Sequence, residues 1–522
     1  MAFKLTYATM FNPPEELHAR FEAAMRRVRE RLGAHHLLHV AGNDAKAARV
    51  TQKLNPADQS QVLGEFAAAS LADAGEALRS AHAAWPAWKA LPASERARLL
   101  RRVGNLLEER VYEIAASLTL EVGKNRMEAL GEAQEAADFF YGYCDDFERH
   151  EGYARALPND PLASHVSRNR SVLKPYGAWV VITPFNFPIA LAAGPVAAAL
   201  ITGNTVVLKG ATATPWAGRL LADCIRDAQL PPGVFNYLSG SSAEIGDVLV
   251  DHPLTAGITF TGSYEVGRQI AQKLQGGRYP RPCIAEMGGK NACIVTARAD
   301  LTRAAAGIVR SAFGMGGQKC SALSRLYVRD EVADPLVEML LGEIAALTIG
   351  DPAQRETWLG PLATRSGYED YVRYAAMLRE SGARILAGGE QLREAPLARG
   401  FFVRPTLAEA PPDHALWQHE MFLPILMLQR VSSNEEAMRL ANASSLGLTA
   451  GFYGASDEIP WFQEHIEAGV TYANRPQGAT TGAWPGYQPF GGWKGSGTTG
   501  KAIASFYYLP QYLREQSQTV VE

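Results

Sequence analysis

The feature of the sequence that most constrains its fold is an alternation of strand-like and helix-like runs through its middle and C-terminal parts. Strand-like runs rich in Val, Ile and Phe occur at WVVITP (179–184), NTVVLK (204–209) and VFNYLSG (234–240), and each of these precedes a helix-like segment. Two further strand-like runs follow along the chain, at AGITFTG (256–262) and ACIVT (292–296). Strands that alternate with helices build βαβ units around a parallel sheet. After residue 320 the alternation resumes in RLYVRD, ARILAGG and GLTAGFY. This predicts a second α/β domain.

Two helices are predicted before the alternation begins. Residues 14–32 carry apolar side chains at helical spacing and are predicted to form the first helix. Residues 94–121 are predicted to form the second as one long helix, which begins at Ser94, a suitable N-cap. Near the C-terminus, the segment 473–500 is dense in Gly, Thr and Pro and cannot be a regular helix or a central strand. Its large aromatic residues favour a functional loop over a flexible linker.

Composition places the chain among globular proteins. Of its 522 residues, 47% are hydrophobic and 20% are charged, and the formal net charge is -3. A basic surplus that would suit a nucleic-acid partner is absent, and so is the low hydrophobicity of a disordered chain. The apolar stretch 176–201 is interrupted by three prolines and by Asn186, so we expect no membrane span.

The five cysteines are scattered and never spaced as CxxC. An odd number without paired spacing is typical of a reducing compartment and fits neither a disulfide framework nor a zinc cluster. We therefore expect a cytoplasmic protein without a metal. The histidine cluster His35, His36 and His39 lacks the HExxH spacing of a metal site, and we interpret it as a loop.

Three residues could carry chemistry, although each one alone has an ordinary explanation. Cys320 lies among small residues in FGMGGQKCSA (313–322), but a lone cysteine is most often a small buried hydrophobe. Glu286 precedes a glycine pair in EMGGKN, yet a single glutamate is most often a surface carboxylate. Asn186 lies between two aromatic residues and two prolines in TPFNFP, which alone would be read as a turn.

Together these segments resemble the aldehyde dehydrogenase superfamily in their order and approximate spacing. The motifs that carry the resemblance are FNFP, LKGATATP, FTGSYEVG, EMGGKN, GQKCSA, HEMFLPI and PFGGWKGSG. The resemblance covers about residues 50–515. It implies an α/β fold of the aldehyde dehydrogenase type, with a Rossmann-type cofactor domain, an α/β catalytic domain and a small β oligomerisation element.

The resemblance also implies boundaries for these parts. The expected division is an N-terminal helical arm (1–45), a dinucleotide-binding domain (46–154 and 173–286), a catalytic domain (287–480) and an oligomerisation element (155–172 and 496–522). We expect a homodimer or a higher homo-oligomer, with the apolar tail motif YYLPQYL buried against a neighbour. The alternative is that the tail covers its own subunit.

By the same resemblance, the enzyme oxidises an aldehyde to a carboxylate through a thioester. The Cys320 thiolate attacks the aldehyde carbon, and the amide of Asn186 with the Cys320 backbone N–H stabilises the resulting oxyanion. Hydride then leaves for the nicotinamide, and Glu286 activates the water that hydrolyses the thioester. This chemistry requires no metal.

The expected cofactor is NAD, with NADP as a second candidate. The resemblance assigns cofactor contacts to Lys209, Thr212, Gly262, Ser263, Glu420 and Phe422. Ser263 would cap a helix whose N-terminus can receive a phosphate. Thr212 stands where NAD-preferring relatives usually carry a glutamate that binds the ribose 2′-hydroxyl. We therefore expect both cofactors to be accepted.

Within the family, the chain looks most like the 1-pyrroline-5-carboxylate (L-glutamate γ-semialdehyde) dehydrogenases. The resemblance rests on Ser321 after the nucleophile and on TGA (481–483) before QPFGG. It implies that Ser321 and the backbone N–H groups of Gly482 and Ala483 hold the substrate carboxylate. Glu135 is the candidate for the substrate ammonium, and Phe187 and Phe490 are the candidates for its aliphatic chain.

Three other functions remain open from the sequence. A dehydrogenase for another semialdehyde or an aliphatic aldehyde would differ only in the anchor loop. A CoA-acylating enzyme would not need Glu286 as a base. A non-catalytic relative would be expected to have lost Cys320 or Glu286, and both are present.

Overall fold

The computed structural model describes residue 5 and residues 13–161, 164–479 and 486–521. Within them the strands are β1 (Ala34–His36), β2 (Leu38–Val40), β3 (Asn43–Ala45), β4 (Arg49–Asn55), β5 (Asp58–Ala68), β6 (Ala154–Leu157), β7 (Ser167–Pro175), β8 (Ala178–Ile182), β9 (Thr205–Lys209), β10 (Phe235–Leu238), β11 (Thr255–Thr261), β12 (Cys283–Glu286), β13 (Asn291–Val295), β14 (Leu323–Arg329), β15 (Arg384–Ala387), β16 (Thr406–Glu409), β17 (Ile425–Val431), β18 (Leu446–Gly447), β19 (Thr449–Tyr453), β20 (Val470–Ala473), β21 (Trp493–Lys494) and β22 (Leu513–Val521). The helices are α1 (Glu15–Arg29), α2 (Leu71–Ala90), α3 (Ala93–Glu109), α4 (Val111–Val122), α5 (Arg126–Arg149), α6 (Ala190–Ile201), α7 (Pro215–Asp227), α8 (Ser242–Asp251), α9 (Tyr264–Gln275), α10 (Leu301–Phe313), α11 (Asp330–Ala345), α12 (Arg365–Glu380), α13 (Asn434–Asn442) and α14 (Ile459–His465).

The predicted alternation is confirmed. The eight strand-like runs named above correspond to β8, β9, β10, β11, β13, β14, β15 and β19. Strands β8, β9 and β13 are almost wholly buried, as their continuous apolar sequences predict for a sheet covered on both faces.

The first large sheet has seven strands in the order β12-β11-β8-β9-β10-β2-β3. Strands β8 to β12 are all parallel, and the antiparallel pair β2 and β3 extends the edge beyond β10. The chain runs outward from β8 through β9 to β10 and then returns to β11 on the other side of β8. The carboxyl ends of β8 and β11 therefore flank a topological switch point, where open α/β sheets bind ligands.

The second large sheet also has seven strands, in the order β15-β16-β17-β14-β13-β19-β20. All neighbours are parallel except β15 and β16. The short segment 287–290 joins β12, in the first sheet, to β13, in the second. The carboxyl edge of the first sheet therefore faces the amino edge of the second.

A three-stranded antiparallel sheet, in the order β22-β7-β6, contains the C-terminal strand. Most apolar residues of the tail motif YYLPQYL are covered without a second copy of the chain, because Tyr508, Leu509 and Tyr512 are buried in their own subunit. The Tyr512 hydroxyl lies 2.9 Å from Thr259 Oγ1, and its ring centroid lies 4.7 Å from that of Trp179. The alternative of self-burial therefore applies to these three residues, whereas Tyr507 and β22 beyond Leu513 are largely exposed.

The predicted single helix over 94–121 is instead two helices, α3 and α4. Arg110 lies between them with non-helical backbone angles and binds Asp227 at 2.6 Å. Helix α3 packs against α5, and α4 packs against both α5 and α1.

The N-terminal segment 1–45 is helical only over Glu15–Arg29 in its described part. Residues 34–45 form β1, β2 and β3, and β2 and β3 join the first large sheet. The histidine cluster is therefore strand rather than loop, and His36 stacks on Phe66 with ring centroids 4.5 Å apart. Across the described ranges, no helix combines the length and the apolar character needed to cross a membrane.

Candidate active site

Cys320 lies in a tight turn between α10 and β14. The preceding residues Met315, Gly316 and Gly317 all have positive φ angles, which glycine adopts without steric cost. A Cβ on Gly317 would lie 2.3 Å from the Leu423 carbonyl oxygen. The sequence GMGG is therefore required to bring the chain back sharply to Cys320.

The backbone around Cys320 is fixed by hydrogen bonds at the amino edge of the second sheet. Asn291, the first residue of β13, donates through Nδ2 to the carbonyls of Cys320 (2.7 Å) and Ala322 (2.8 Å). Its Oδ1 accepts from the N–H of Thr449, the first residue of β19 (2.9 Å). One buried amide thus connects the cysteine turn to two neighbouring strands.

Asn186 approaches the same turn from the first sheet. The FNFP loop follows β8 directly, at the switch point, and the Asn186 side chain is buried. Asn186 Nδ2 donates to the Gln318 carbonyl at 2.9 Å, two residues before Cys320. The structure thereby brings Asn186 and Cys320 together across the junction of the two sheets.

Glu286 is the last residue of β12 and faces the same junction. Its Oε2 accepts a hydrogen bond from Gly492 N at 3.2 Å, and its backbone forms an isolated bridge with Gly497. Burial raises the pKa of the Glu286 carboxyl well above its ordinary value, and the bond from Gly492 offsets this in part. A carboxylate with a raised pKa is a stronger base than one at the surface.

Glu420 lies against the glycine pair of EMGGKN. Its Oε1 accepts from Gly289 N at 2.8 Å, and a Cβ on Gly288 would lie 1.9 Å from its Oε2. Burial raises the pKa of Glu420 to about 7. A Cβ on Gly289 would lie 2.4 Å from the Cys320 carbonyl oxygen. The two glycines therefore allow the carboxylate and the cysteine turn to approach each other.

The thiol of Cys320 is partly exposed, and its pKa is raised. Burial raises its pKa to about 12, and the nearby charges of Glu420 and then Glu286 add to the effect. Backbone N–H groups of Cys320 and Ser321 act in the opposite direction. Two carboxylates beside a thiol are suited to receive its proton.

The predicted cofactor contacts surround the carboxyl end of β9. Lys209 is buried, and its Nζ donates to Ser242 Oγ at 2.7 Å and to Thr212 Oγ1 at 3.2 Å. Thr212 Oγ1 in turn donates to the Gly240 carbonyl at 3.1 Å. Burial lowers the pKa of Lys209 to about 8. This cluster offers an ammonium group and two hydroxyls at one edge of the sheet.

The loop after β11 provides the second half of this region. Gly262 N donates to the Glu286 carbonyl at 3.2 Å, and a Cβ on Gly262 would lie 2.5 Å from the Phe260 ring. Ser263 is the N-cap of α9. Phe422 has a positive φ angle, and its ring lies edge-on to Phe185, with centroids 5.7 Å apart.

A cavity of about 570 Å³ opens on the other side of the cysteine turn. Its lining residues include Glu135, Phe187, Lys319, Ser321 and Ala479. Glu135 and Ser321 are buried. Phe490 is also buried, and its backbone pairs with Ile503. Gly482 and Ala483, the predicted carboxylate anchors, lie outside the described residues.

Sequence reasoning did not identify several charged residues of this region. Lys319, directly before Cys320, forms an ion pair with Glu128 at 3.2 Å. Lys124 and Glu132 form a second, buried pair at 2.6 Å. Their sequence signal is weak, because a charge on a helix usually faces solvent. Only the small residues around Glu132, in EALGEAQEAA, indicate that α5 packs closely on other elements.

Comparisons with known proteins agree with this geometry. The profile of the aldehyde dehydrogenase family matches residues 43–517. A 1-pyrroline-5-carboxylate dehydrogenase of Geobacillus thermodenitrificans (strain NG80-2) is 37% identical over 513 residues, which cover 96% of each chain. A crystal structure of 1-pyrroline-5-carboxylate dehydrogenase from Thermus with bound NAD superposes with a TM-score of 0.92 and 34% identity over 100% of both chains. An NADP-dependent enzyme of E. coli has a TM-score of 0.86 and 31% identity over 93% of this chain and 98% of its own.

Proposed function

The chain belongs to the aldehyde dehydrogenase family and is a nicotinamide-dependent oxidoreductase, and from this premise we propose that it oxidises L-glutamate γ-semialdehyde, the open-chain form of 1-pyrroline-5-carboxylate, to L-glutamate. The observation that carries the proposal is the end-to-end likeness to proteins with that name. Other semialdehydes and simple aliphatic aldehydes are the alternative substrates.

In the proposed reaction Cys320 is the nucleophile. Its Sγ attacks the aldehyde carbon to form a thiohemiacetal. The thiol proton passes to a base as the bond forms, and the carboxylate of Glu286, whose charge acts on this thiol, is the candidate base. When bound, the nicotinamide dinucleotide supplies the acceptor for the hydride that leaves this carbon.

Asn186 stabilises the oxygen that becomes negative in this step. An amide nitrogen carries two hydrogens, so Asn186 can hold the Gln318 carbonyl and still donate to the oxyanion. The backbone N–H of Cys320 is the second donor. Loss of one such donor typically slows catalysis by about 100- to 1000-fold.

Glu286 then acts as the base for hydrolysis of the thioester. Its raised pKa suits the removal of a proton from water near neutral pH. The bond from Gly492 N holds one carboxyl oxygen and leaves the other for the water. Carboxylate product and free Cys320 thiol result.

The residues at the switch point fit a dinucleotide. The ammonium group of Lys209, the hydroxyls of Thr212 and Ser242 and the N-terminus of α9 at Ser263 suit sugar hydroxyls and phosphate. Glu420 would hold the nicotinamide ribose, and Phe422 would lie beside the ring. With Thr212 in place of an acid, we propose that both NAD and NADP are accepted.

The cavity beside Cys320 suits an amino-acid head group, because its wall contains both acidic and basic side chains. Glu135 would receive the substrate ammonium, and Ser321, next to the cation Lys319, would receive the carboxylate. Phe187 would contact the aliphatic chain, with Phe490 behind it. Gly482 and Ala483 complete the proposed carboxylate site.

Ser321→Ala tests the substrate assignment. Removing one hydrogen bond to a charged group costs about 1.5–3 kcal/mol, so KM for 1-pyrroline-5-carboxylate should rise by about 10- to 100-fold. Propanal, which lacks a carboxylate, is the matched control substrate and should be oxidised at an unchanged kcat/KM. If the wild-type enzyme oxidises propanal as efficiently as 1-pyrroline-5-carboxylate, the substrate proposal is wrong and only the family assignment remains.

The proposed setting of this reaction is the cytoplasm, and the proposed assembly is a homo-oligomer. All five cysteines are free thiols, as a reducing compartment requires. The exposed strand β22 in the three-stranded sheet offers a surface for a second copy.

A further inference from the structure

We propose that the buried ion pair between Lys124 and Glu132 positions the FNFP loop, and through it the oxyanion donor Asn186. This inference rests on the role proposed for Asn186 above. Neither Lys124 nor Glu132 is assigned to the reaction itself, and both act through the loop.

The pair contacts the chain just after Asn186, at the ring of Phe187 and at the start of α6. At the start of α6, Glu132 Oε1 accepts from the N–H groups of Ile189 (2.9 Å) and Ala190 (3.3 Å). These are the first N–H groups of α6, and the N-cap residue Ile189 provides no capping side chain of its own. A carboxylate from α5 therefore caps α6 and is stabilised there by the helix dipole.

Lys124 holds the loop from within. Its Nζ donates to Glu132 Oε2 at 2.6 Å and lies 3.5 Å from the centroid of the Phe187 ring. An ammonium group over an aromatic face is an attractive cation–π contact, and it is stronger when both groups are buried. The pair thus fixes the ring directly after Asn186 and the backbone three residues after it.

A purely structural role accounts poorly for the use of charges here. Both side chains of the pair are fully buried, and a buried ion pair is often no more stabilising than a well-packed apolar pair. The charged groups fix the orientation of the loop, because their hydrogen bonds are favourable only within a narrow range of distances and angles. The Asn186 amide must meet both the Gln318 carbonyl and the reacting oxygen, and a displacement of about 1 Å can cost about 100-fold in rate.

The test is a double-mutant cycle between Glu132→Gln and Asn186→Ala. The readout is the single-turnover rate of NADH formation from propanal, which lacks the head group that could touch Glu132 in the cavity. Glutamine keeps an acceptor for Ile189 but leaves Lys124 without its counter-charge. We expect Glu132→Gln to slow this step about tenfold in the wild-type background and less than twofold in the Asn186→Ala background.

Glu121→Gln is the matched control. Glu121 is also a buried carboxylate that caps a helix from outside, accepting from Trp216 N (2.6 Å) and Ala217 N (2.9 Å) at the start of α7. Both variants should lower Tm, but only Glu132→Gln should slow NADH formation. If Glu132→Gln does not fold, the same double-mutant cycle can be measured with Lys124→Met. In that variant the Glu132 carboxylate still caps the N-terminus of α6.

The outcomes separate the two proposals. Suppose that Asn186→Ala slows the step about 100-fold, and that the effect of Glu132→Gln is equal in the wild-type and Asn186→Ala backgrounds. The pair is then only structural, and the positioning inference fails while the oxyanion role of Asn186 stands. An unchanged rate in Glu132→Gln overturns the positioning inference equally. If Asn186→Ala itself leaves the step unchanged, the proposed oxyanion role fails, and the positioning role fails with it.

Discussion

At the scale of single residues, the candidate site places three groups with raised pKa values beside one another. Burial raises the pKa of the Cys320 thiol to about 12 and that of Glu420 to about 7, and it holds the pKa of Glu286 well above its ordinary value. Perturbed values in one place are typical of catalytic sites.

Replacing Cys320 by alanine tests the nucleophile. Cys320→Ala should abolish aldehyde oxidation, because no other group in the turn can form the thioester, and it should leave dinucleotide binding intact. Steady-state NADH formation and fluorescence titration with NADH measure the two properties. More than trace turnover in a preparation free of wild-type enzyme would disprove the assignment.

Glu286→Gln tests the hydrolytic base. We expect one equivalent of NADH in a burst, followed by turnover at least about 100-fold slower, because the acyl-enzyme accumulates. In the wild type, hydrolysis should accelerate as pH rises through the raised pKa of Glu286, since only the ionised carboxylate accepts a proton. Stopped-flow absorbance against pH measures both. Unimpaired steady-state turnover in the variant would show that another base acts.

The same substitution should affect stability in a pH-dependent way. Because folding raises the pKa of Glu286, the folded state favours its protonated form. The resulting contribution to the free energy of unfolding is fully present below about pH 4.5, and it is lost as pH rises through the raised pKa of the folded state. Its size is about 1.4 kcal/mol for each unit by which folding raises the pKa. Glu286→Gln should therefore unfold at a higher Tm than the wild type at pH 8, and this difference should shrink at pH 5. An equal difference at both values of pH would contradict the buried-carboxyl interpretation.

At the scale of elements, the turn from β9 to α7 forms the corner at which we propose that the cofactor's ribose binds. Lys209 ends β9, and Thr212 connects it to the Gly240 carbonyl after β10. The neutral hydroxyl of Thr212 leaves this corner without a negative charge of its own. If the proposed site is correct, cofactor choice depends on the charge of this one loop residue between a strand and a helix.

Thr212→Glu should make the enzyme selective for NAD. The new carboxylate would repel the 2′-phosphate of NADP, so kcat/KM for NADP should fall by about 100-fold or more while that for NAD changes little. Thr212→Gln, which has the same shape without the charge, is the matched control. In the wild type, a preference for NAD above about 1000-fold, roughly 4 kcal/mol, would mean that another residue rejects the phosphate.

At the scale of the whole molecule, the C-terminal tail has a buried part and an exposed part. Tyr508, Leu509 and Tyr512 fasten it to its own subunit, and β22 then continues outward along β7. The outer part carries Val520 and Val521, which are 58% and 57% exposed. The proposed contact with another copy would cover these two side chains.

Deleting residues 514–522 should convert the proposed oligomer to a monomer. The buried tail motif remains in this variant, so the NADH burst should survive even if steady-state activity declines. Val520→Asp with Val521→Asp is a milder version that keeps the strand. Light scattering coupled to gel filtration measures the mass. A full-length chain that is monomeric at micromolar concentration would exclude the proposed assembly.

The sequence by itself determined the α/β architecture and the three residues at the centre of the candidate site. Hydrophobic periodicity is a local property of the chain, so the runs at 179–184 and 292–296 could be predicted as strands without knowledge of distant contacts. The three residues were recognised because FNFP, EMGGKN and GQKCSA occur together in the order of the aldehyde dehydrogenase family, whereas each motif alone has an ordinary explanation. The break at Arg110 was not predicted, because both halves of 94–121 have helical periodicity.

Only the tertiary structure decided which distant groups meet. Glu132 caps a helix 57 residues away, and Glu420 binds Gly289 across 131 residues. Periodicity and composition carry no record of such pairings, since a buried glutamate and an exposed one read alike along a helix. The same reason explains the tail motif, whose apolar residues predict burial but not whether their own subunit or a neighbour provides it.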